Sequence, residues 1–184
     1  MPTLPERVIA VDLALSEANI SHAFGGALAL AYYAEPRSTL DIDVNVFVRP
    51  RAADQVEAAL SPLGVEAVGD REALIRDGQA RWRWDQTPVD LFFSNDPIHE
   101  AMAEMARRVP FGGTTIPIIA GEHLLICKVA FDRPKDWIDI EQMLLMSEGL
   151  NRVEVERWLE RLLGEDDPRR ERLESLLNRQ ENRD

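Results

Sequence analysis

Residues 41–48 read Asp-Ile-Asp-Val-Asn-Val-Phe-Val. Successive side chains on a strand point to opposite faces. Ile42, Val44, Val46 and Val48 therefore share one apolar face, and Asp41, Asp43, Asn45 and Phe47 share the other. This is the clearest strand in the chain. The five residues before it, Pro-Arg-Ser-Thr-Leu, read as a loop. The two acids thus open the strand instead of closing it.

Other elements follow from spacing. Thr3 and Glu6 form a capping box, with Pro5 tolerated in the first turn, and Val8, Val11 and Leu15 predict a helix over about 4–18. A short apolar segment, 21–24, ends at Gly25-Gly26, and a small-residue helix over 27–34 stops before Pro36. A helix over 51–60 is closed by Pro62 and Gly64. Residues 79–84 and 89–93 read as a hairpin. Pro97 opens a helix to about Arg107, and residues 114–119 form a short β segment. Helices follow over 121–131, from Pro134 to about 146, after the Asn151 and Glu154 cap, and from Pro168, with fraying over 180–184. The fold class is α+β: a small mixed sheet flanked by helices over 1–119, with a C-terminal helical layer over 120–184 packed on that core as one compact unit.

A chain of 184 residues can bury about 70% of its unfolded surface, enough for one core. Hydrophobic residues make up 45% and charged residues 29%, which excludes global disorder. The single cysteine, Cys127, rules out an intrachain disulfide and fits a reducing cytoplasm. No apolar run approaches the ~18 residues of a membrane span, and no secretion signal is read at the N-terminus. A net charge of −12 removes the broad basic field of a non-specific nucleic-acid binder. It leaves room for a local basic groove or for magnesium.

The chemistry concentrates around Asp41 and Asp43. Two carboxylates on one strand face, about 7 Å apart at the backbone, repel each other. A hard cation between them resolves that repulsion, and oxygen ligands suit magnesium. Gly25-Gly26 precedes a helix start, where phosphate can approach the backbone closely. An Asp-x-Asp pair by itself also marks haloacid-dehalogenase phosphatases and many glycosyltransferases. In those the apolar strand precedes the acids, whereas here it follows them, which disfavours a metal-dependent phosphohydrolase.

Phe24-Gly25-Gly26, then Asp41-Ile42-Asp43, then Asp90 within Val89-Asp90-Leu91-Phe92-Phe93 resembles the polymerase-β-like nucleotidyltransferase superfamily. The closer resemblance is to its bacterial branch related to the AbiEii-type toxins. Two blocks carry it: Arg37-x-Thr39-x-Asp41-x-Asp43, and the run from Lys128 through Arg133, Lys135 and Asp136 to Asp139. It covers about residues 20–145; residues 147–184 add nothing to it. Gly26 stands where many members have serine, so a hydroxyl contact to phosphate is lost.

The resemblance implies transfer of a nucleoside monophosphate from an NTP to an acceptor hydroxyl, releasing pyrophosphate. Asp41 and Asp43 would hold two Mg²⁺ or Mn²⁺ ions. Asp90 would complete one metal site and orient the acceptor. Gly25, Gly26, Arg37, Thr39 and Lys128 would bind the nucleotide. The acceptor could be a tRNA end, a protein or a small molecule. The toxin-like branch implies a cognate antitoxin. The alternative is a catalytically silent module that keeps the fold for binding.

Each residue also has a structural reading. Asp41 and Asp43 would be solvated strand-end acids, Asp90 a hairpin acid and Gly25-Gly26 a tight turn. Arg37 would pair with an acid, Thr39 would be a loop hydroxyl, and Asp139 would pair with Lys135. Lys128, in an apolar helix, either snorkels to water or meets an anion. Asp136 sits in a helix first turn, where the macrodipole favours an acid. His22, His99 and His123 share no metal spacing. Trp82, Trp84 and Trp137 read as core, and Cys127 as a buried small apolar residue.

Overall fold

The computed structural model describes residues 2–146 and 149–181. Its contacts divide the chain into two compact units, residues 1–28 with 38–119, and residues 29–37 with 120–184.

The first unit contains the sheet. In chain order its elements are α1 (Leu4–Glu17), β1 (His22–Phe24), the start of α2 (Gly26–Leu30), β2 (Ile42–Val46), α3 (Ala53–Leu60), β3 (Val65–Glu66), α4 (Arg71–Asp77), β4 (Gln79–Trp84), β5 (Thr87–Phe93), α5 (Ile98–Met105), β6 (Arg107–Phe111) and β7 (Thr114–Ile118). The seven strands lie in the order β3-β4-β5-β2-β1-β7-β6. β2 and β5 pair in parallel, as do β1 and β7; the remaining neighbours are antiparallel. The fold is mixed α/β, as the α+β reading anticipates.

The α1 capping box forms: the Thr3 amide donates to Glu6 Oε2 at 2.7 Å, and the Thr3 hydroxyl accepts from the Glu6 amide at 3.5 Å. The apolar face of β2 is sealed, with Ile42, Val44 and Val46 at 0% exposure. Leu91 and Phe93 of β5 and Phe24 of β1 bury with them. At roughly 1.5–3 kcal/mol per buried side chain, these residues hold β2 and β5 in the middle of the sheet. Asn45, on the opposite face, is also buried, its Nδ2 donating to the Ala23 carbonyl at 3.4 Å.

The β4–β5 hairpin turns on Asp85 and Gln86. Asp85 takes φ 52, a left-handed position that aspartate tolerates. Arg7, buried on α1, fastens the turn by donating to the Trp84 carbonyl and, at 2.8 Å, to Asp85 Oδ2. Trp82 and Trp84 are core residues.

Several elements depart from expectation. The helix predicted from Pro97 to Arg107 stops at Met105, and β6 follows it. Gly112 (φ 54) and Gly113 (φ 85) turn β6 into β7. Pro110 sits in β6, which is tolerated because β6 is an edge strand. α4 and β3 were not expected. α4 is only seven residues long, capped by Asp70, whose side chain accepts from the Glu72 amide, and ended by Gly78 at φ 69. The small-residue helix ends at Leu30 instead of 34, and turns carry the chain onward.

The second unit is helical: α6 (Gly121–Phe131), α7 (Pro134–Met146), α8 (Arg152–Leu163) and α9 (Pro168–Glu181). Asn151 caps α8, its side chain accepting from the Glu154 amide at 3.2 Å. α6 ends at Asp132 in the left-handed region, and the Asp132 carboxylate accepts from Trp137 Nε1 at 2.6 Å. Ile126, Val129, Trp137, Ile140, Met143, Leu159 and Leu173 form the interior. Cys127 is half-buried instead of fully buried, with its thiol pushed up to about 12 by burial, so it stays protonated. The predicted fraying over 180–184 falls from 182 onward outside the described residues; α9 itself runs through Glu181. Among the described residues, no helix is long and apolar enough to cross a membrane.

Candidate active site

The first unit gathers the acid pair and the third acid. The parallel register sets Ile42 opposite Val89, Asp43 opposite Asp90 and Val44 opposite Leu91. Asp43 and Asp90 are therefore direct cross-strand neighbours on one face, while the apolar residues flanking them are buried on the other. Asp41 immediately precedes β2, and Thr39 shapes its approach: the Thr39 hydroxyl donates to Asp41 Oδ1, and the Asp41 amide donates to the Thr39 hydroxyl at 3.4 Å.

Gly25 and Gly26 pack against the same strand. The Gly25 amide donates to the Asp43 carbonyl at 2.9 Å, so that amide serves the sheet. A Cβ on Gly25 would fall 3.0 Å from Asn45 Nδ2. Gly26 takes φ +51, and a Cβ there would fall 1.8 Å from Asp43 Oδ2. The Asp43 carboxylate occupies the space that a side chain at residue 26 would need. A serine at residue 26 therefore cannot be accommodated without moving Asp43.

Asp90 has a partner that sequence reading missed. Arg81 on β4 stands opposite it in register. Its Nε donates to Asp90 Oδ1 and its Nη2 to Asp90 Oδ2, both at 2.7 Å. The bonds to Asp90, aided by Asp41 and Asp43, raise the Arg81 guanidinium above its ordinary value. A two-residue turn at 85–86 sets Trp84 against Thr87 and hence Arg81 against Asp90, a signal available in the sequence. Reading the second strand as starting at Val89 obscured it.

The donor set of Asp41, Asp43 and Asp90 is all carboxylate oxygen, which suits a hard divalent cation. The β2–β5 register supplies the backbone placement that such a site needs. Among the described residues, no three acid, histidine or cysteine side chains converge on one metal position as they stand. The physical reason is visible for each acid: Asp41 turns to Thr39, Asp43 lies over Gly26 and Asp90 is gripped by Arg81. The residues fit a cation by type and position, with side-chain rotation required.

The second unit holds a buried charge cluster. Lys128 is 4% exposed and Asp136 0%. Lys128 Nζ donates to Asp139 Oδ2 at 2.6 Å and lies 3.7 Å from Asp136 Oδ1. Arg37 donates through Nε and Nη2 to the two oxygens of Asp139, both at 3.2 Å. Arg133 forks onto Asp136 at 2.6 and 3.1 Å. Burial works to raise the Asp139 carboxyl, but the bonds from Lys128 and Arg37 outweigh it and leave it below its ordinary value. The anion that Lys128 meets in the structure is thus Asp139, and Arg37 pairs with that same acid. The expected Lys135–Asp139 pairing is replaced by these two partners. His22, buried on β1, bonds Asp12 Oδ1 at 3.0 Å and the Ile20 carbonyl at 2.9 Å, consistent with a structural histidine.

A mixed sheet with an acid pair opening one strand, and a third acid on its parallel neighbour, is the arrangement that the sequence resemblance calls for. Solved structures agree on the fold. The antibiotic-resistance factor ANT(2'')-Ia, in complex with adenylyl-2''-tobramycin, is similar at a TM-score of 0.65 and 18% identity, over 87% of this chain and 98% of that one. The lincosamide antibiotic adenylyltransferase LnuA, lincomycin-bound, is similar at 0.56 and 14% identity, over 79% and 98%. An antigenic nucleotidyltransferase-like protein from Paracoccidioides brasiliensis is similar at 0.57 and 19% identity, over 95% and 92%. No curated protein matches. Residues 7–184 match the family model described as nucleotidyl transferase AbiEii toxin, Type IV TA system, and the chain belongs to that family of nucleotidyltransferases.

Proposed function

We propose that the protein transfers a nucleoside monophosphate from an NTP to an acceptor hydroxyl in a divalent-metal-dependent reaction, as the toxin of a toxin–antitoxin pair. The observation that carries this reading is the alignment of Asp43 with Asp90 across β2 and β5, beside Asp41, in a chain of the AbiEii family. Asp41, Asp43 and Asp90 would hold magnesium or manganese ions. Bound there, such ions would stabilise charge on the attacking and leaving oxygens of an in-line displacement.

The chain's own residues supply the rest. Thr39 holds the Asp41 carboxylate by a hydrogen bond. The glycine turn at 25–26 would serve the polyphosphate once the Asp43 carboxylate, which lies over Gly26, turns toward the cations. Asp90, once free of Arg81, would accept the proton of the acceptor hydroxyl or orient that hydroxyl. A nucleotide-binding role for Arg37 and Lys128 rests on the resemblance alone; within the second unit both donate to Asp139. The molecules bound by the solved neighbours, adenylyl-2''-tobramycin and lincomycin, make a small hydroxylated molecule one acceptor class, beside a tRNA end and a protein. The cytoplasm, where NTP and magnesium are available, is the compartment that suits the reaction.

The test is incubation with magnesium or manganese, each α-phosphate-labelled NTP, and separately total tRNA, a neighbouring-gene antitoxin and aminoglycoside or lincosamide acceptors. Metal-dependent label on one acceptor class is expected. NTP binding without label on any of them would contradict the reading.

A further inference from the structure

Arg81, Asp90 and Asp43 form one row across β4, β5 and β2, each directly opposite the next. Arg81 engages both oxygens of Asp90 in a fork, at 2.7 Å each. A bidentate guanidinium occupies the carboxylate edge from which a cation would otherwise bind. The partners differ in exposure. The Asp90 side chain is 14% exposed and fixed by its strand, whereas the Arg81 side chain is 67% exposed on a long stem. Of the two, Arg81 is the one that can swing away.

The need for such a counterion follows from the row itself. Asp43 and Asp90 are side by side, Asp41 is two residues from Asp43, and carboxylates so placed repel one another. A guanidinium offsets that repulsion without being consumed, and it is the charge that an incoming divalent ion must replace. We propose that Arg81 competes with the divalent cation for Asp90, so that Arg81 sets the metal affinity of the site. It is a positioning residue that acts through Asp90, and the proposal rests on the nucleotidyltransferase reading of the three acids. It also accounts for the part of Asp90 in the failure of the three carboxylates to converge: that acid is turned toward β4. A displaced guanidinium beside the acids remains within reach of the negative charge that a nucleotide brings, so the competition need not oppose the nucleotide-loaded complex.

The experiment is calorimetric titration of the 184-residue chain with Mn²⁺ alone, for wild type, Arg81→Gln, Arg81→Lys and Asp43→Asn, each checked by its melting curve. Arg81→Gln is expected to bind Mn²⁺ about tenfold more tightly than wild type, the scale of one opposite charge acting on a carboxylate. Arg81→Lys keeps the charge and loses the fork, so it should fall between the two. It carries the comparison should Arg81→Gln melt early. Asp43→Asn should bind more weakly than wild type. If Asp43→Asn binds more weakly but neither Arg81 variant binds more tightly, the competition is overturned and the metal reading stands. If Asp43→Asn matches wild type, or no protein binds Mn²⁺, the metal reading fails and this inference fails with it.

Discussion

Gly26 and Asp43 exclude any side chain between them: a Cβ on Gly26 would lie 1.8 Å from Asp43 Oδ2, and Gly26 holds φ +51. Gly26→Ala therefore both strains the turn, by about 1–2 kcal/mol for a left-handed non-glycine residue, and drives the Asp43 carboxylate from its place. The variant should fold with a lowered melting temperature and lose most transfer activity. Unchanged Mn²⁺ binding and unchanged activity would show that Asp43 is not held by this contact.

Asp43→Asn should be at least as stable as wild type in the absence of ligand, because it removes one charge from a crowded row. Mg²⁺ plus NTP is expected to raise the melting temperature of wild type, and Asp43→Asn should lose that rise. Thermal melts with and without ligand test both halves. An early-melting Asp43→Asn would make the acid structural.

Lys128 is tied to the second unit's own acids, with Asp139 at 2.6 Å and Asp136 at 3.7 Å, so its removal leaves buried carboxylates short of a partner. Breaking one side of a buried pair costs about 3–5 kcal/mol. Lys128→Met should lower stability on that scale in urea titration even though methionine keeps the stem's packing. Wild-type stability with weakened NTP binding would instead give Lys128 a purely ligand-directed role.

Much of this architecture is visible in local pattern. The β2 alternation, the α1 and α8 caps and the tryptophans' burial all follow from neighbours within a few residues. What was missed is non-local or short. β6 was hidden by Pro110 and by a helical pattern that ran through Met105, and only its edge position makes the proline acceptable. α4 is too short for periodicity to register. Asp139 finds Lys128, 11 residues away, and Arg37, 102 residues away, pairings that helix spacing cannot indicate. That Asp43 and Asp90 lie on one face was readable from the strands that carry them. The side-chain partners that turn those acids apart were not.

His123 is 1% exposed, and neither ring nitrogen has a hydrogen-bond partner. Burial lowers its pKa below the ordinary 6.5, with Glu122 and Glu154 opposing that shift. The folded state holds the neutral ring, so the unfolded state binds more protons once pH drops below about 6.5. Stability is thus full above that value and declines as pH falls through the lowered folded value. His99, also lowered by burial, adds in the same direction. Melting temperatures at pH 7.5 and 5.5 should show this loss, and His123→Leu should reduce it. An equal loss in His123→Leu would move the effect elsewhere.

The central claim is that Asp90, aligned with Asp43, serves group transfer. The most direct measurement is label transfer from α-phosphate-labelled NTP to an acceptor by wild type and Asp90→Asn, run beside NTP binding on the same preparations. The account predicts metal-dependent labelling by wild type. It predicts that Asp90→Asn binds NTP within about tenfold of wild type and transfers about 10²-fold less, the scale of lost acid–base help. Wild type that binds NTP yet labels no acceptor, or Asp90→Asn that labels as well as wild type, would contradict it.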